Sequence, residues 1–187
     1  VAVESHRAKA WIAGEDLGTV EKRVRRRLAE NRMLSYKLLW FEDDLPEAFP
    51  ELALAAVSTH DLPTVAGLWA GADFAAQRRI GLEPSTEGFQ DLRRRLRGAT
   101  GLADTASAAE AVAEAYQALS DAPSAVLLAS LDDALAVKKR PNMPGTVDQW
   151  PNWCLALPHP LEEIESLPLP QQIAEGLRRS REAGVPA

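Results

Sequence analysis

The sequence predicts a parallel α/β protein assembled from βα units. Short apolar runs alternate along the chain with stretches of helical periodicity. Each apolar run ends on carboxylates or on His-Asp, which loads one end of the expected strands, and in parallel α/β proteins the carboxyl ends of strands are where chemistry sits. A hydrophobic fraction of 46% with 26% charged residues is that of a globular chain, and 187 residues suffice for one domain with a sizeable core.

The first expected strand is 11–14, Trp-Ile-Ala-Gly, stopping at Glu15 and Asp16. Thr19 is placed to cap a helix over 20–31, where Val20, Val24 and Leu28 form one stripe and Arg23, Arg25, Arg26 and Arg27 face water. Residues 36–41, Tyr-Lys-Leu-Leu-Trp-Phe, read as a buried strand ending at Glu42, Asp43 and Asp44. The run 52–57 suits strand or helix by periodicity alone and leads into Ser58-Thr59-His60-Asp61. Pro63 suits the first turn of a helix carrying Val65, Leu68 and Trp69, which Gly71 closes.

Residues 72–122 read as a helical insertion before the last strand. Asp73 is a cap for 74–80. Phe89, Leu92 and Leu96 form a stripe ended by Gly98, and Val112, Tyr116 and Leu119 form another in an alanine-rich segment. A fourth strand is expected over 125–131, followed by Asp132 and Asp133. Beyond it, 140–187 is a region of loop and helices, with short helices near 161–166 and over 171–181.

A formal charge of −6 argues against nucleic acid or an anionic membrane as partner. Cys154 is the one cysteine, so no internal disulfide forms; a reducing, cytoplasmic setting fits, and the thiol is expected to be buried or half-buried. No apolar run is long enough to span a membrane, and the first residues lack the apolar core of a signal peptide. His6, His60 and His159 are scattered without zinc spacing, and adjacent acids such as Asp132-Asp133 read as solvated turns rather than calcium ligands, so no metal and no cofactor is expected. The tryptophans belong to the core by default, with Trp150 and Trp153, set among prolines, better placed than the others to stack on a sugar.

Two strand ends carry acids in suggestive contexts, Glu15-Asp16 and His60-Asp61. Glycoside transfer needs one carboxylic acid to protonate the leaving oxygen and others to steady an oxocarbenium-like centre. The acid must keep its proton near neutral pH, and Glu15 at the end of an apolar strand would have the partly buried setting this requires. Asp61 beside a neutral histidine would remain ionised and bind sugar hydroxyls. The same acids would equally satisfy free N–H groups at a helix start.

Read together, Gly-Glu-Asp-Leu-Gly-Thr-Val, Tyr-Lys-Leu-Leu-Trp-Phe-Glu, Ser-Thr-His-Asp-Leu-Pro-Thr and Asn-Met-Pro-Gly-Thr with Pro-Asn-Trp after it occur in one order. In that order they resemble the C-terminal part of a 4-α-glucanotransferase (amylomaltase or disproportionating enzyme, glycoside hydrolase family 77). The resemblance implies a (β/α)8 TIM barrel, of which this chain holds the C-terminal half with about four parallel strands. It implies no cofactor and a retaining double displacement that moves α-1,4-glucan segments between maltodextrins, including those derived from starch or glycogen. It assigns Glu15 as general acid/base and Asp61 as transition-state stabiliser. Asp16, His60, Asn142, Pro144 and Gly145 would touch substrate. Cys154 stands where many relatives carry arginine.

The family's nucleophilic aspartate lies upstream of the Glu-Asp-Leu-Gly strand, where this chain has ten residues, so the role has no bearer here. A whole barrel takes about 250 residues. The chain is therefore expected to be a fragment, inactive alone, with an open barrel face that a homodimer would cover. Two other readings of the chemistry stay open: a retaining α-glucan hydrolase and a non-catalytic glucan-binding module.

Overall fold

Three parallel strands in the order β1-β2-β3 form the sheet: β1 is Ser35–Leu38, β2 is Ala53–Ala56 and β3 is Val126–Leu128. They belong to a computed structural model that describes residues 1–184; the last three residues of the C-terminal region lie outside it. The ambiguous run 52–57 is thus strand. Leu38 pairs with Ala56, and Ala56 with Leu128, so the rows across the sheet run through all three strands.

The expected first strand is reduced to one parallel bridge, Ala13 to Leu34. Gly14 N–H donates to Leu34 O at 2.8 Å and Leu34 N–H to Ile12 O at 2.9 Å. The segment therefore takes the outer place beside β1, with a partner on one side. Trp11, expected in a buried strand, is 71% exposed because among the described residues nothing covers its face. Gly14 sits where a Cβ would lie 2.6 Å from Leu28 Cδ2, so its lack of a side chain lets the segment approach the following helix.

Helix α1 is Ala2–Ala8 and α2 is Lys22–Glu30, and neither buries a residue. The cap of α2 is Glu21, not Thr19, and Val24 on the expected apolar stripe stays exposed. β1 stops at Leu38, short of the expected Phe41, because the chain turns through Trp40 and Phe41 into an exposed loop. Helix α3, Val65–Trp69, starts after Pro63 rather than at it; Thr64 is its cap, accepting from Gly67 N–H, and every residue of the helix is buried.

Four helices lie between β2 and β3, α3 being the first. In α4, Ala72–Arg79, Gly71 is the cap in left-handed conformation, and Asp73 sits buried in the first turn. Helix α5, Thr86–Thr100, runs through Gly98 and ends at Gly101, whose φ of 70° makes it the true stop. Helix α6, Ala108–Ser120, opens with a capping box of Ser107 and Glu110.

β3 is shorter than the expected 125–131, because Leu131 already begins α7, Leu131–Ala134. Near the C-terminus α8 is Leu161–Ile164 and α9 is Pro168–Gly184, with two prolines in its first turn where no N–H is needed.

Strand alternation divides the sheet into two faces. Ala55 and Leu127 point to the helices and join Leu39, Trp40, Val57, Val65, Leu68, Leu96, Val112 and Leu119 in the main core. Tyr36, Ala56 and Leu128 point the other way and line an open cleft. The helices between β2 and β3 are therefore part of the core and not an appendage, since α6 packs on α3, α5 and α9.

Candidate functional site

The cleft lies at the carboxyl ends of the strands and holds about 610 Å³. Glu15, Tyr36, His60, Asp61, Asp132 and Asp133 are among the groups lining it. The structure thus brings Glu15, His60 and Asp61, from two separate strand ends, to one cavity. Glu15 is exposed at the rim, so the apolar enclosure expected from the preceding strand is not provided by this chain. Its charge acts on Tyr36, whose phenol is held above its ordinary ionisation range first by burial and then by Glu15.

Asp61 is fixed from several directions. Asn142 Nδ2 donates to its Oδ1 at 2.6 Å, and His60 Nε2 lies 3.4 Å from the same oxygen. Arg140 Nη1 donates to the Asp61 carbonyl at 2.8 Å, while the rest of its guanidinium pairs with buried Asp73. Gln77 Nε2 also donates to Asp73, at 2.8 Å. A chain of contacts therefore runs from α4 through Asp73 and Arg140 to the backbone of Asp61. The loop 137–142 is docked on α3 as well: Thr64 Oγ1 donates to Val137 O at 2.6 Å.

The wall opposite Glu15 is built by α7. Asp133, expected in a solvated turn, is 1% exposed. It accepts from Val65 N–H at 2.8 Å and from the Tyr116 hydroxyl at 2.9 Å. Burial pushes its carboxyl up to about 6, against the lowering effect of those donors. Tyr116 is pushed well above its ordinary value by burial and by the Asp133 charge. Among the described residues no group of His, Cys, Asp and Glu has the arrangement of a metal site.

Not every residue singled out in the sequence reaches the cleft. Asp16 is 3% exposed and faces away from it: Tyr36 N–H donates to its Oδ1 at 2.7 Å, and Arg25 Nε lies 3.4 Å from Oδ2. Its carboxylate anchors the start of β1, a strand N–H, and so serves neither the cleft nor the start of a helix. Pro144 and Gly145 are exposed and off the lining, Gly145 with φ 80° serving the turn. Cys154, expected buried or half-buried, is exposed. Trp150 is buried and donates from Nε1 to Arg140 O at 3.1 Å, whereas Trp153 is exposed.

Sequence reasoning missed Arg140 and Asp133. Arg140 ends the run Lys138-Lys139-Arg140, which reads as a solvated charge cluster. Asp133 had a usable signal: Ser130, three residues earlier, caps α7 by accepting Asp133 N–H, which turns the second acid inward.

Fold and site define a parallel α/β protein with a carboxylate-bearing cleft at its strand ends. The chain belongs to the 4-alpha-glucanotransferase family, whose model matches residues 1–161. A 4-alpha-glucanotransferase from Mycobacterium tuberculosis is 37% identical over 205 residues, a match covering 95% of this chain and 28% of the relative. The amylomaltase from Corynebacterium glutamicum superposes with a TM-score of 0.82 at 28% identity, covering 94% of this chain and 30% of that one. The amylomaltase from Streptococcus agalactiae, solved in complex with acarbose, shares the fold with a TM-score of 0.64 at 18% identity, covering 91% of this chain and 32% of that one. The chain thus spans between a quarter and a third of the length of these relatives.

Proposed function

We propose that the cleft is the acid/base side of an α-1,4-glucan transfer site, and that the sheet is the C-terminal half of a (β/α)8 barrel. The observation that supports this reading is the convergence of Glu15 and Asp61 on one cavity at the strand ends. In the proposed reaction a donor glucan enters across the strand ends. Glu15 gives its proton to the leaving 4-oxygen, then takes one from the acceptor's 4-hydroxyl when the glucosyl group is passed on. Asp61, held by Asn142, receives hydroxyls of the reacting sugar and steadies the positive charge that develops there. His60, on the Asp61 loop, supplies a further contact.

The covalent intermediate of a retaining transfer needs a second carboxylate, as nucleophile. Asp43, Asp44, Asp132 and Asp133 sit at other strand ends, and Asp133 is occupied by Val65 and Tyr116. None is assigned the role, so the chain alone is proposed to bind maltodextrins without turning them over. The open cleft-side face of the sheet is proposed to pair with a second copy in solution, and the setting is proposed to be cytoplasmic; no helix of the described residues is long and apolar enough to cross a membrane.

Titration with maltotriose or acarbose tests the reading. Amide signals of Glu15, His60 and Asp61 should move together, and a surface elsewhere responding instead would overturn it. Robust glucose release from maltotriose by this chain would overturn the inactivity.

A further inference from the structure

Trp153 is a bulky residue in left-handed backbone, with φ 61°, and 65% of it is exposed. Such conformations are rare for large side chains and persist where the surroundings over-determine them. Here they do. Trp153 N–H donates to Pro141 O at 2.9 Å, and Asn142 N–H donates to His60 O at 3.3 Å. Asn152 accepts from Met143 N–H at 2.8 Å and donates to Thr146 Oγ1 at 3.0 Å, tying the two limbs of the loop together. Trp150 anchors the loop from below, buried among Ala76 and Met143.

A firmly held loop therefore presents an indole to water. Burial does not explain it, as it does for Trp40 and Trp69 in the core. The indole lies 4.8 Å from the His60 ring, at an interplanar angle of 52°. It stands beside the group of His60, Asp61 and Asn142. A pyranose ring is recognised by this combination: an aromatic face meets its C–H groups while carboxylate, amide and imidazole take its hydroxyls.

We propose that Trp153 is a stacking platform for a glucosyl unit adjacent to the one held by Asp61 and Asn142. The proposal rests on the reading of the cleft as a glucan site and adds a binding position to it. The backbone is fixed by hydrogen bonds that do not involve the side chain and the ring rests against His60, so part of the cost of ordering the indole is met before binding.

The test is a maltotriose titration of this chain, followed by nuclear magnetic resonance, with three variants. Trp153→Ala should weaken binding about tenfold, while Trp153→Phe should keep most of it. Trp153→Gly should lose binding as the alanine variant does, yet show an unchanged or raised Tm, because glycine accepts positive φ without strain. Unchanged affinity in Trp153→Ala, with Glu15, His60 and Asp61 signals still responding, would overturn the platform and leave the proposed function standing. A fall in Tm for Trp153→Gly would make the indole a structural prop and overturn the platform too. If no cleft signal of the unaltered chain responds, both readings fall.

Discussion

Asp133 shows how burial at a single residue reaches the pH dependence of the whole chain. Its carboxyl is raised to about 6 in the folded protein, against about 3.9 in an unfolded chain. Between those values the native state holds a proton that the unfolded state has released. Stability from this group is therefore greatest at low pH and falls as pH rises through the window, by on the order of 2–3 kcal/mol in all. Asp133→Asn keeps an acceptor for Val65 N–H, and the Tyr116 hydroxyl can accept from the new amide. Urea unfolding of this variant should show a flatter profile between about pH 4 and pH 6, and higher stability at neutral pH. The same scale marks the limit of reading from sequence. The placing of Glu15 and His60-Asp61 at strand ends was legible because each motif is contiguous with its apolar run. Arg140 was not, since its partners Asp73 and Asp61 are brought to it by the fold. Arg140→Ala would strand the buried Asp73 carboxylate, with an expected loss of about 3–5 kcal/mol in denaturant unfolding.

Among the elements, α3 and α5 make opposite predictions for the same substitution. Gly67 of α3 packs so closely on the loop that carries Arg140 and Asn142 that a Cβ would lie 2.5 Å from the Lys138 carbonyl. Gly67→Ala should push that loop off the helix and lower Tm while weakening maltotriose binding. Gly98 lies inside α5 with open space around it. Gly98→Ala should stabilise by about 0.5–1 kcal/mol, read as a rise in the urea midpoint. Helical periodicity located α5 and α6 well, since each has an apolar stripe of its own, whereas α4 has none and was placed from Asp73 at its start. It misplaced the end of α5 because Gly98 and Gly101 look alike in sequence and differ only in backbone conformation. The segment 11–14 keeps only one bridge, Ala13 to Leu34, on the outer side of β1, and its apolar run alone did not show how short that pairing would be.

At the scale of the whole molecule, the sheet is covered on one face and open on the other. Trp11 and Leu128 are exposed on the described surface, and the segment 12–14 and β3 present outer edges. Uncovered edges and apolar faces invite pairing. Sedimentation should show self-association that rises with concentration, and Leu128→Lys should reduce it while leaving α3 and α6 intact; a monomer at all concentrations would sink the homodimer reading. The parallel α/β class was legible from the alternation of apolar runs and helices. The open sheet face was expected only through the family resemblance and the length of a whole barrel, not from the residues themselves, because an inward-facing residue reads the same whether or not anything lies opposite it.

The long excursion between β2 and β3 also sets an order of events in time. Ser124, just before β3, donates to Pro50 O, just before β2, across 74 residues of chain. Closing so large a loop costs entropy before any ladder bond repays it. Helices α5 and α6, with their local caps, can form first and pack on α3. The last strand then docks late, so destabilising changes in β3 should speed unfolding far more than they slow refolding.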